Sequence, residues 1–251
     1  MLAIYKVSLI LMVGLTLAYA FQGYYPEFML FFSNVFSPLI AGVAVIVSGF
    51  CLDKYWHKAR ERFSIIWLFF TMGLFLWFLG ESVWMGYSLI LGVEIPYLSV
   101  ADVFWLLGYF PFFLALYLYV RIFGAALPLK TIVIAMCATI LLSVFVTIAL
   151  IMPLIGVEKD LSILIVDVAY PLLDLALFSV SLLGLLIFMK GKLGKSWLLI
   201  NAGILCNTSA DILFGYTVAH GTYYNGHPLE VLFHFSYIFF LLAFYVHTKE
   251  L

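Results

Sequence analysis

The chain has 251 residues, of which 66% are hydrophobic and only 10% charged, where soluble domains carry roughly 25% charged residues. A water-soluble globule is excluded. Twelve Lys and Arg against thirteen Asp and Glu give a formal net charge of −1, so no basic face exists to neutralise phosphates and no nucleic-acid partner is expected.

Hydrocarbon offers an open backbone nothing to bond, so a crossing takes about 20 mostly apolar residues in a closed helix. Eight stretches meet that requirement: 4–21, 28–51, 63–90, 99–120, 131–153, 162–189, 196–219 and 229–247. The expected fold is therefore all-α, a polytopic membrane bundle of eight transmembrane helices in one integral domain, its partner the lipid bilayer. Gly and Pro punctuate the links at Gly23 to Pro26, Gly92 to Pro96 and Gly221 to Pro228. The first segment also carries signal-peptide features, with Lys6, an apolar run and Ala18-Tyr19-Ala20. It is kept as a helix because the repeat described below needs it as the counterpart of helix five.

Orientation follows from the cations, which stay on the cytoplasmic side. Lys6, Lys54, Lys58, Arg60, Arg62, Arg121, Lys130, Lys190, Lys192, Lys195 and Lys249 fall on one face and only Lys159 on the other. Both termini are expected in the cytoplasm, and the location is a cell membrane.

Setting Asp102 against Glu230 aligns 102–117 with 230–245 without a gap, matching Val103/Val231, Tyr109/Tyr237, Phe112/Phe240, Leu114/Leu242, Ala115/Ala243 and Tyr117/Tyr245. Pro38-Leu39 likewise matches Pro171-Leu172, and Val47-Ser48 matches Val180-Ser181. The reading is a 4+4 internal repeat, about 1–125 and 126–251. Four is even, so the halves run parallel about an axis along the membrane normal.

An ionised group at the centre of a membrane helix costs at least about 2.5–3.5 kcal/mol, so each buried acid must be paired, hydrated or protonated. The acids in question are Glu81, Asp102, Asp167, Asp174, Asp211 and Glu230, joined by His234. With the orientation above, all lie toward the outer side, with no Lys or Arg among them. Asp167 and Asp174 share a helical face, as do Asn207 and Asp211, and Glu230, His234 and Tyr237 form one stripe. These positions predict an outward-opening acidic and aromatic cavity walled by helices three, four, six, seven and eight, with Trp77, Trp84, Trp105, Tyr87, Tyr170 and Tyr216 nearby. A small amphiphile, a cation or a proton would be its ligand. The candidate ligand-binding residues are Glu81, Trp84, Asp102, Trp105, Asp167, Tyr170, Asp174, Asn207, Asp211, Tyr216, Glu230, His234 and Tyr237. For Asp102, Asp167 and Glu230 at helix starts, simple capping of the helix N-terminus competes with that role.

Other chemistries are weaker. His227, Glu230 and His234 space as H-x2-E-x3-H, a candidate zinc set for an intramembrane hydrolase, yet the i, i+4 His pair of helical zinc sites is missing. Every lysine sits at a helix end or in a loop, which leaves no retinal Schiff base, and only His234 is deep enough to be a haem ligand. No phosphate-binding or nucleophile-elbow motif occurs. Cys51, Cys137 and Cys206 are far apart and read as packing residues. No cofactor is implied.

Three segments, PYLSVADVFWLLGYF (96–110), AYPLLDLALFSV (169–180) and SADILFGYTVAHGTYYNG (209–226), resemble the eight-helix membrane region found ahead of GGDEF and EAL cyclic-di-GMP signalling domains. The resemblance covers about helices three to eight and points to Asp102, Tyr170, Pro171, Asp174, Asp211 and Tyr216. It implies a sensory input. The sequence runs to Leu251 without a Gly-Gly pair, so the resemblance implies a free-standing copy that signals to a separate cytoplasmic partner. The leading expectation is a non-enzymatic sensor or receptor-like module. The alternatives are the metal-dependent hydrolase and a structural or transporter-like subunit of a membrane complex.

Overall fold

A computed structural model describes residues 2–56, 62–93, 98–123, 128–152, 160–189 and 194–250. It holds eight long helices: α1 (Leu2–Ala20), α2 (Pro26–Trp56), α3 (Arg62–Met85), α4 (Val100–Phe123), α5 (Leu129–Val146), α6 (Leu161–Phe188), α7 (Gly194–Ala219) and α8 (Glu230–Glu250). π-Helical turns extend α3 over Gly86–Leu91 and α5 over Thr147–Ile151. All eight helices are long and apolar enough to cross a membrane, and their bounds fall within a few residues of those read from the sequence, except that α2 runs on to Trp56. No strand occurs among the described residues.

The helix ends have local causes. Pro26 opens α2 at the first helical position, where a missing N–H costs nothing. Asp160 caps α6 by accepting from the Ser162 N–H at 3.3 Å. Gly92, at φ 60°, ends the extension of α3 in the left-handed conformation that glycine adopts freely. Pro38, Pro111 and Pro171 lie inside α2, α4 and α6.

Six helices close a ring in which α2 packs on α3, α3 on α4, α4 on α6, α6 on α7, α7 on α8, and α8 back on α2. Phe112 of α4 and Phe240 of α8 meet in its middle, with ring centroids 5.1 Å apart. α3 and α4 approach closely because Gly73 leaves room for the Phe112 ring and Gly108 for Trp77, and each glycine carbonyl lies 3.1 Å from where the other's Cβ would stand. Gly203 of α7 gives the same room to Phe240.

Contacts between α2 and α3 recur between α6 and α7. The Ser48 and Thr71 hydroxyls are 2.8 Å apart, and Asn201 Nδ2 donates to the Ser181 carbonyl at 2.9 Å. Tyr55 stacks on Trp67 at 5.9 Å, and Phe188 stacks on Trp197 at 5.2 Å. The correspondence stops at the first and fifth helices. α1 lies outside the ring on α8, whereas α5 lies against α6 and reaches α7 through its π-helical turns. The expected pairing of α1 with α5 is therefore not mirrored in position. α5 seats the small side chain of Ala135 and the side chain of Val146 inward and leaves most of its length outside.

The loop after α1, the π-helical end of α3, the start of α4, the start of α6 and the α7–α8 connection all gather at one end of the ring. The chain termini lie at the opposite end. There α2 and α8 are tied by Cys51 Sγ and Thr248 Oγ1 at 2.6 Å, by Lys54 Nζ donating to the Thr248 carbonyl at 2.8 Å, and by Tyr55 Oη and His247 Nε2 at 3.0 Å.

Candidate functional site

The interior acids Glu81, Asp174 and Asp211 lie in the half of the ring that faces the α7–α8 connection. Asp174 sits one turn past Pro171 in α6, and Asp211 sits one turn past Asn207 in α7, so Asn207 and Asp211 share a face. From α4, the Tyr109 hydroxyl lies 2.9 Å from Asp174 Oδ1 and 3.2 Å from Asp211 Oδ2. Asn207 Nδ2 donates to Asp211 Oδ2 at 2.7 Å and lies 3.5 Å from the Tyr109 oxygen. Asp174, Asn207 and Tyr109 are all buried. A phenol carries one hydrogen and cannot donate to two carboxylates at once. Asp174 Oδ2 and the neighbouring Thr208 hydroxyl find no hydrogen-bond partner among the described residues.

A second contact repeats this one across the ring. Tyr237 of α8 donates to Glu81 Oε1 of α3 at 2.9 Å, with Ser37 and the Trp105 indole beside the carboxyl. Each tyrosine thus crosses to an acid in the opposite half of the chain, Tyr109 to Asp211 and Tyr237 to Glu81. The acids are themselves matched: a shift of 130 residues places Trp67 on Trp197, Gly73 on Gly203 and Glu81 on Asp211. That correspondence is legible in the sequence itself, in helices three and seven. Trp84 packs on Trp105 at 5.7 Å and on Phe214 at 6.3 Å, covering this region from the helix ends.

Asp102 and Glu230 both combine end-capping with bridging. Ser99 and Asp102 form a capping box, in which Ser99 Oγ accepts from the Ala101 N–H at 3.2 Å and Asp102 Oδ2 accepts from the Ser99 N–H at 2.7 Å. The other oxygen, Asp102 Oδ1, accepts from the Tyr170 hydroxyl of α6 at 2.9 Å. Glu230 Oε1 accepts from the Gly226 N–H at 2.8 Å, the Tyr223 hydroxyl at 3.0 Å and the His227 N–H at 3.2 Å. Gly226 makes this turn at φ 86°. Burial and the Glu230 carboxylate hold the Tyr223 phenol above its ordinary range, so Tyr223 stays a donor. Burial lowers His227, which favours its neutral ring, and its Nδ1 accepts from the Leu229 N–H at 3.2 Å.

Several expected members are not brought to this site. Tyr216 is 48% exposed and stacks on His220 with centroids 4.1 Å apart, because its helical face turns outward from the Asn207–Asp211 face. Asp167 is half-buried, two turns nearer the start of α6 than Asp174, and does not cap that helix, since Asp160 does. His234 is fully buried where α8 meets α1 and α2, its ring meeting Tyr19 of α1 at 5.7 Å and Phe36 of α2 at 5.0 Å. Glu230 is taken up by the Gly226 and His227 N–H groups and the Tyr223 hydroxyl, and no group of three or more His, Cys, Asp or Glu among the described residues is placed to hold a metal ion. The acids meet their partners by direct contact. The acids find tyrosine hydroxyls, amides and backbone N–H groups, and burial makes such pairing obligatory.

No family model, no curated protein and no solved structure matches this chain.

Proposed function

We propose that this chain is a multi-pass sensory module of the cell membrane with cytoplasmic termini and two parallel repeats. Its input is a proton or a small cation held at Asp174, Tyr109 and Asp211. Its output is a change in helix packing that a cytoplasmic partner reads. The observation that carries this reading is the single Tyr109 hydrogen between two carboxyls in a buried cluster. With both acids ionised, one of the two contacts is repulsive; one added positive charge satisfies the group. The direct contacts between these side chains favour a proton or a small cation over an amphiphile.

The repeat is supported by the exchanged tyrosines, by the recurring α2–α3 and α6–α7 contacts and by the Phe112–Phe240 contact on the axis between the halves. The resemblance to sensory regions is supported by the convergence of its motifs. Asp102 of the first meets Tyr170 of the second, and Asp174 of the second meets Asp211 of the third through Tyr109. An intramembrane hydrolase finds no comparable support, since no group of three or more His, Cys, Asp or Glu among the described residues is placed to hold a metal ion.

The test is thermal unfolding in lipid nanodiscs across pH, with sodium or potassium varied at fixed pH. The wild type should lose stability as pH rises and the shared proton leaves two facing carboxylates, and Asp211→Asn should flatten that dependence. Restoration by one cation at high pH would identify a cation as the input. Superimposable profiles for the wild type and Asp211→Asn would refute the reading.

A further inference from the structure

Asp174 is 1% exposed and Thr208 is 2% exposed, and neither Asp174 Oδ2 nor Thr208 Oγ1 has a hydrogen-bond partner among the described residues. The two side chains stand beside one another, Asp174 on α6 and Thr208 on α7, one residue past Asn207. Burying polar atoms unpaired is costly, and a bound group commonly accounts for them. On the repeat reading, the first half of the chain closes the equivalent place without such groups. The shift that sets Pro38 on Pro171 sets Ala41 on Asp174, and the shift that sets Glu81 on Asp211 sets Trp77 and Phe78 on Asn207 and Thr208. Ala41 and Trp77 are as buried as their counterparts. The carboxyl, amide and hydroxyl of the second half are thus extra to the packing that the fold needs.

We propose that Asp174, Asp211, Thr208 and Tyr109 form a sodium-ion site. The proposal rests on the reading above and narrows its input to one ion. Every donor is an oxygen, which suits a hard cation and not the metals that seek nitrogen or sulfur. Asp211 Oδ2 already receives the Asn207 amide at 2.7 Å, so the carboxylate oxygen still lacking a positive partner is Asp174 Oδ2. One such oxygen calls for one charge, and no group of three His, Cys, Asp or Glu among the described residues is placed for a divalent ion. A proton on Asp174 Oδ2 would itself need an acceptor, yet the Thr208 oxygen beside it makes no hydrogen bond. A cation joins two oxygens that do not bond each other. It takes lone pairs from both hydroxyls, while Tyr109 keeps its hydrogen on a carboxylate. The contacts around it are direct, at 2.7–3.2 Å, and favour sodium over the larger potassium ion.

The test uses the whole protein in nanodiscs at constant ionic strength, with sodium exchanged for potassium or choline. An ion that binds only the folded protein raises the unfolding temperature as its concentration rises. Sodium should do so at fixed pH and choline should not, and calorimetric titration of the unaltered protein with sodium chloride should give saturable heat. Thr208→Val keeps the side-chain shape without the oxygen and should lose the sodium-dependent rise. Thr208→Ser keeps the oxygen and should retain it. In choline, the fall in stability with rising pH should survive in both variants, since both acids remain. A sodium response in Thr208→Val equal to that of the wild type overturns the site, and an equal response to potassium overturns the choice of ion. A wild type indifferent to sodium also overturns the site; if its stability still falls with rising pH and Asp211→Asn flattens that fall, the input is a proton and the reading above stands. Indifference to both sodium and pH removes the site and the reading together.

Discussion

Replacing Tyr109 by Phe keeps the ring that packs on Trp77 at 5.4 Å and removes only the hydroxyl. That oxygen lies 2.9 Å from Asp174, 3.2 Å from Asp211 and 3.5 Å from Asn207. A hydrogen bond to a charged group contributes about 1.5–3 kcal/mol, and a buried acceptor stripped of its donor costs about 1–3 kcal/mol. Asp211 keeps Asn207 at 2.7 Å, whereas Asp174 already has one oxygen without a partner among the described residues. Most of the loss therefore falls on Asp174, and we expect Tyr109→Phe to destabilise by about 2–4 kcal/mol. Tyr237→Phe removes a single bond, to Glu81, which keeps Ser37 and Trp105 beside it, so about 1–2 kcal/mol is expected. Reversible unfolding in mixed micelles measures both. A Tyr109→Phe protein within about 0.5 kcal/mol of the wild type, inside the range of ordinary surface changes, or a larger cost for Tyr237→Phe, would refute the idea that the Tyr109 hydroxyl ties the two carboxyls together.

The remaining predictions concern packing and caps. Gly184→Ala should destabilise by about 1–3 kcal/mol, since a methyl there would overlap the Trp197 ring. Gly14→Ala, with nothing within 4 Å, should leave the same unfolding midpoint unchanged or slightly raised. Gly226→Ala should lose about 1–2 kcal/mol because its φ of 86° penalises a side chain. Asp102→Ala removes a helix cap and the acceptor of the Tyr170 hydroxyl together, and should cost about 2–4 kcal/mol. Tyr216→Ala should be silent in the pH-dependent unfolding assay, since its ring stacks on His220 away from the cluster.

The spans were legible because length and hydropathy alone decide them. The gathering of acids at one end was legible too, since a helix advances predictably from its first residue. Which side of each helix faces the interior was not. Helices apolar on every side carry no stripe to distinguish lipid from neighbour, so Tyr216 reads like Tyr109 although one is exposed and the other buried. The partners of the acids were hidden for the same reason. Tyr109 and Tyr237 stood out as a matched pair in the alignment, yet nothing local shows that each reaches an acid in the other half. Counting carboxyls alone does not show which hydroxyls and amides complete them.

The exchange of tyrosines has a consequence for chain integrity. Cut between α4 and α5, the protein would yield two fragments, each holding an acid whose phenol donor sits on the other piece. Neither fragment is chemically complete, but together they hold every group the two contacts require. Co-expressed fragments should therefore complement one another and be poorly tolerated singly.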